Sequence, residues 1–121
     1  MSIVATWLAI AAAGAVGSLA RFLLHETVER RLGRGFPFGT LAVNLSGALI
    51  LGVLVGAALT GDAYRIAGTA LLGAYTTFST WMLETERLAS RGAWAGAAAN
   101  VVVSMGCGLV AVALGRRLGA L

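Results

Sequence analysis

An all-α integral membrane protein of four transmembrane helices, the third broken near its middle, is the fold this sequence predicts, and three observations predict it. The 121 residues are 59% hydrophobic and 12% charged, about half the charged fraction of a soluble domain, and the mean hydropathy is +0.88. The charges bound four apolar runs: residues 1–20 before Arg21, Gly35–Gly61 between Arg34 and Asp62, Ile66–Leu83 between Arg65 and Glu84, and Gly92–Gly115 between Arg91 and Arg116. Each run approaches or exceeds the roughly 20 residues that a spanning helix needs. The third observation is the stretch Gly73 to Trp81, where four hydroxyls and three aromatics interrupt an otherwise apolar run. The chain reads as one transmembrane domain over 1–121, with helices near 3–24, 37–60, 64–90 and 93–115. Almost nothing remains for a soluble domain.

The first helix carries a small face, Gly14, Gly17 and Ser18, and no Lys or Arg precedes it, which argues against a cleaved secretory signal. An amphipathic connection, His25–Gly35, follows, with Glu26, Glu29, Arg30 and Arg31 spaced for helical ion pairing. Pro37 opens the second helix, where its missing N–H costs nothing. Gly52 and Gly56 within that helix form a small-xxx-small contact signal. Asn44 lies seven residues past Pro37, about 10 Å along the helix at roughly 1.5 Å per residue, and Thr40 lies one turn back on the same face. An amide at that depth donates two hydrogen bonds and accepts two.

In the third run, Thr76, Thr77, Ser79 and Thr80 fall within five residues, beside the helix-loosening Gly73. A single in-membrane hydroxyl bonds back to its own helix carbonyl; four together favour a permeation or binding site, because hydrocarbon offers polar groups no water. A break at glycine also frees backbone carbonyls to hold a cation inside the protein. The fourth helix places Asn100, Ser104 and Gly108 on one stripe, and the lone Cys107 packs there as a small hydrophobe.

The net charge of +4 comes from nine arginines. They sit at helix ends and read as interfacial anchors rather than as a nucleic-acid surface. Three fall on one side of the membrane and six on the other, a weak bias that leaves insertion in both orientations open. Four helices are too few to enclose a sizeable pore, so the chain is expected to oligomerise, and an antiparallel homodimer would supply an inverted repeat. No nucleophile with a base, metal-ligand cluster or phosphate loop supports catalysis. The interior lacks the carboxylate near mid-membrane that a proton-coupled small multidrug exporter would use; a non-conducting structural subunit is the other alternative. Donors without fixed negative charge suit a small anion, with Arg21 near one end to attract it.

The segments Gly14–Phe22, Phe36–Asn44 and Gly73–Trp81 with Glu84 closely resemble the Fluc/CrcB fluoride channels, in motif order and over essentially the whole chain. The resemblance implies a dual-topology antiparallel homodimer in a bacterial inner membrane, two passive fluoride pores, and a structural sodium ion at the dimer interface. It implies that the carbonyls of Gly73 and Thr76 hold the sodium and that Asn44 and Phe78 line the pore. Trp81 stands where the family carries a second phenylalanine, bringing an extra N–H donor. Ser79, Thr80 and Glu84 correspond to the polar track, following the hydroxyls. Ser104 matches the fourth-helix serine, and Asn100 stands where the family has tyrosine.

Overall fold

The computed structural model describes the whole chain, Met1–Leu121, and all its regular structure is helical. Helix α1 spans Ile3–Leu32 and starts where Ser2 Oγ accepts the Ala5 N–H at 3.1 Å. It does not stop near residue 24. The expected connection from His25 onward is instead two further helical turns, closed by Gly33 at φ 82°, whose N–H reaches the Glu29 carbonyl. Charges end the apolar span without ending the helix, since Glu and Arg are good helix formers and Arg30 and Arg31 complement the dipole in the last turn. At about 1.5 Å per residue, α1 runs well beyond a hydrocarbon core roughly 30 Å thick.

Helix α2 spans Phe38–Gly56, immediately after the buried Pro37, and ends four residues short of the expected 60. The chain turns with Ala58 at φ 57° and enters α3, Gly61–Tyr64. That turn passes directly into a π-helix, Arg65–Leu72, and then α4, Gly73–Tyr75. Thr76 is extended, at φ −79° and ψ 158°, and α5 begins only at Ser79 and runs to Ser90. The single helix expected over 64–90 is therefore a set of pieces. Its break falls at Thr76–Phe78, just past Gly73, with the widened i→i+5 turns of a π-helix leading up to it. Helix α6, Trp94–Gly119, continues a turn past the expected 115 and carries Arg116 and Arg117 in its last turn. Three helices, α1, α2 and α6, are long and apolar enough to cross a membrane.

Four glycines set the closest packing, between α2 and α6. A Cβ at Gly52 would strike the Val112 carbonyl; at Gly56, that of Arg116; at Gly115, that of Leu49; and at Gly119, that of Val53. The small-xxx-small pair read in α2 thus meets a second one, Gly115 and Gly119, and backbone lies directly on backbone. On the α6 stripe Asn100 is buried, Ser104 is half-buried and Gly108 faces open space. Gly17 gives α1 the same kind of approach to the π-helix, at the Leu71 carbonyl. Gly39 lets the start of α2 approach the His25 carbonyl, 2.8 Å from where a Cβ would sit. Large apolar side chains point outward, among them Trp7, Leu19, Phe22, Leu109 and Val110. Cys107 is exposed on α6 rather than packed within the chain.

Candidate functional site

The break at Thr76–Phe78 removes the helical ladder where the hydroxyls cluster, and a side chain from α2 replaces it. Asn44 Nδ2 donates to the Thr77 carbonyl at 2.9 Å, and the Thr77 N–H donates to Asn44 Oδ1 at 2.9 Å. The amide thereby pairs with both backbone groups of one residue, as another strand or turn would. One Nδ2 hydrogen remains uncommitted. Thr77 Oγ1 accepts the Thr80 N–H at 3.2 Å, satisfying an orphan donor at the start of α5. Tyr75 closes the other side. Ser46 Oγ spends its single proton on the Ala42 carbonyl at 2.7 Å, so Tyr75 Oη donates to Ser46 Oγ at 2.8 Å.

Hydroxyls divide between two uses. Thr76 Oγ1 donates to Leu72 O and Thr85 Oγ1 to Trp81 O, the local back-bonding that hydroxyls favour in helices. Thr40 instead reaches across to α5: its Oγ1 donates to Glu84 Oε1 at 2.7 Å, while Thr40 itself is 1% exposed. Backbone carbonyls around the break are also available. No hydrogen bond within the chain ends on the carbonyl oxygens of Gly73, Ala74, Tyr75 or Thr76.

The residues picked out by sequence gather around three cavities rather than one. Arg21 and Thr80 share a cavity of about 250 Å³ with Ser18, His25 and Thr77, on the α1 side of the break. Asn44, Trp81 and Ser104 meet in another of about 220 Å³, facing α6, where Ser104 Oγ is buried with no partner. Gly73 and Thr76 border a third of about 410 Å³ together with Asn44 and Gly47. Glu84 lies away from all three, lining a cavity of about 170 Å³ with His25, Glu29, Arg34, Arg87 and Arg91. Phe78 is 69% exposed and Ser79 is exposed, and neither lines any of these cavities.

Trp81 departs from expectation in its chemistry. The indole N–H is not free for a ligand, because it donates to the Asn100 carbonyl at 3.0 Å. Asn100 in turn donates from Nδ2 to Thr85 Oγ1 at 2.8 Å, tying α6 to the same turn of α5. What Trp81 presents is its ring, held edge-on to Phe78 with centroids 5.7 Å apart and an 84° angle between planes. His25 lies outside the expected site, whereas Thr77 belongs to the expected hydroxyl cluster and Asn100 stands at the expected fourth-helix position. Thr77 was legible as part of the hydroxyl cluster, but its pairing with Asn44 across 33 residues has no local signature.

The family profile described as "CrcB-like protein, Camphor Resistance (CrcB)" matches residues 8–116. The chain is 53% identical over 113 residues to "Fluoride-specific ion channel FluC 2" of Mycobacterium bovis, covering 93% of this chain and 90% of that protein. It is 52% identical over 121 residues to the protein of the same name from Mycolicibacterium paratuberculosis, covering 100% and 99%. With "Fluoride-specific ion channel FluC 1" of Symbiobacterium thermophilum it shares 42% identity over 120 residues, covering 94% and 97%. The chain belongs to the CrcB-like family.

Proposed function

We propose that this member of the CrcB-like family is a passive fluoride channel, exporting fluoride from the cytoplasm across the bacterial inner membrane and so conferring fluoride resistance. The observation that carries the reading is the set of hydroxyl and amide groups around the break, in a chain about half identical to proteins named as fluoride-specific channels. A small anion needs short, fixed donors, and the Asn44–Thr77 pairing fixes one. Arg21, Asn44, Ser79, Thr80, Ser104, Thr40 and Glu84 form the polar lining, with Phe78 and Trp81 offering ring edges.

The working unit is an antiparallel homodimer with dual topology, and the pieces from Gly61 to Ser90 make the fourth crossing. Broken backbone at membrane depth is tolerated only against protein or water, and a second copy on this face would supply the protein. It would also cover Phe78. The unpaired carbonyls of Gly73 and Thr76, doubled by an inverted copy, make an all-oxygen set suited to a hard monovalent cation such as sodium, which would hold the two breaks together. Fluoride efflux from liposomes containing only the purified protein tests the function, and comparable chloride efflux would overturn the site chemistry. A cysteine at Gly35, in a Cys107→Ser background, tests the topology: it should label from both sides of the membrane in intact cells, and labelling from one side only sinks the antiparallel dimer.

A further inference from the structure

We propose that His25, building on the fluoride-channel reading above, is the permeation-path residue that joins two cavities and sets the charge of the path through Glu84. His25 lines the cavity holding Arg21, Thr77 and Thr80, and it lines the cavity holding Arg34, Glu84, Arg87 and Arg91. No other side chain borders both. The first cavity adjoins the hydroxyl-bearing break. The second is the one into which three arginines converge, and this is where an anion would collect. An ion crossing from one to the other passes the imidazole.

The ring stands among carboxylates without a formal hydrogen bond. Its Nε2 is 3.5 Å from Glu84 Oε1 and 4.0 Å from Glu29 Oε1, and its Nδ1 is 3.9 Å from Glu26 Oε1. Nε2 and Glu84 Oε2 are both buried and unpartnered. A neutral imidazole carries one proton, so one nitrogen lone pair must face a carboxylate; the doubly protonated ring presents a donor to each side. The other charges facing this position are Arg21 from its own helix, Arg34 from the loop after it, Arg87 in the last turn of α5 and Arg91 just beyond it. Glu84 opposes an anion and also takes the Thr40 hydroxyl proton. A protonated His25 offsets that carboxylate within a low-dielectric neighbourhood, where one charge weighs heavily. Fluoride passage should therefore be faster with the doubly protonated ring than with the singly protonated one.

The test compares fluoride efflux per channel at about pH 5.5 and about pH 7.5, with leak through protein-free liposomes subtracted. Wild type should conduct at least about threefold faster at the lower pH, and His25→Gln should bring the ratio near one. A wild-type ratio of one, or an unchanged ratio in His25→Gln with normal elution as a dimer, overturns the proposal. If His25→Gln does not fold, Glu84→Gln serves in its place, since without the opposing carboxylate the pH ratio should fall in the same way; an unchanged ratio overturns the proposal. His25→Cys in a Cys107→Ser background adds a readout of position. A charged thiol reagent should label it and stop efflux; absence of labelling, or efflux unchanged after labelling seen by mass spectrometry, removes the residue from the path. Wild-type protein carrying no fluoride at either pH would instead overturn the channel reading itself.

Discussion

The seam between α2 and α6 and the break between α4 and α5 both bring backbone close to other groups, by opposite means. At the seam, Gly52, Gly56, Gly115 and Gly119 remove side chains so that two complete helices lie backbone to backbone. At the break the helix is given up, and Asn44 supplies from its side chain the bonds that Thr77 has lost. In hydrocarbon every exposed peptide group must be paired. The seam meets that demand by keeping its ladders intact; the break meets it with a neighbour's amide and leaves a short run of carbonyls unpaired. One region is a fixed frame, and the other holds chemistry against that frame.

Substitution at Asn44 should break this division most severely. Asn44→Asp keeps the size and still accepts from the Thr77 N–H, but it sets a carboxylate against the Thr77 carbonyl where a donor stood. Losing a part-buried hydrogen bond and setting a charge against a carbonyl dipole costs a few kcal/mol, so fluoride efflux should fall about 100-fold or more while the protein still elutes as wild type does. Wild-type efflux from this variant would mean that the clip neither shapes nor lines the path.

The frame should answer to stability rather than to conduction. Gly115→Ala would drive a methyl into the Leu49 carbonyl and to within 2.9 Å of the Val53 nitrogen, and neither backbone group can turn aside. Overpacking of this kind costs about 1–3 kcal/mol, read as a lowered thermal midpoint of the purified protein. Gly106→Ala, on the same helix but facing open space, should leave the midpoint unchanged or higher. If both variants behave alike, the seam is not what holds α2 to α6.

The same contrast explains what could be read in advance. Apolar runs and small-residue spacing are local patterns, so the three long helices and the Gly52–Gly56 face were visible, and Gly115 and Gly119 carried the same signature unnoticed. The break was legible because Gly73 and four hydroxyls crowd one stretch. Its exact position at Thr76–Phe78 was not, since the π-helix before it packs on α1 at Gly17, a contact far away in the sequence. Charge marks only the end of the apolar span in α1, and the helix runs past it to Leu32. The sequence marks the Trp81 N–H only as an extra donor. That its proton goes to a backbone carbonyl on α6 depends on a contact 19 residues away.

The smallest expected effect comes from that last contact, and it sharpens the boundary between frame and site. Trp81→Phe removes the indole donor to Asn100 but keeps a ring able to meet Phe78 edge-on. The Asn100 carbonyl remains the only group to lose a partner, while the Asn100 Nδ2 bond to Thr85 still ties α6 to α5. One neutral hydrogen bond is worth about 0.5–1.5 kcal/mol, so the thermal midpoint should drop slightly and fluoride efflux should change only a few-fold. Trp81→Leu removes the ring as well, and its efflux should fall below that of Trp81→Phe because no polarised edge is left to face an anion. If the phenylalanine variant is as impaired as the leucine one, the indole N–H matters to conduction after all, and Trp81 belongs with Asn44 as a fixed donor rather than with the rings.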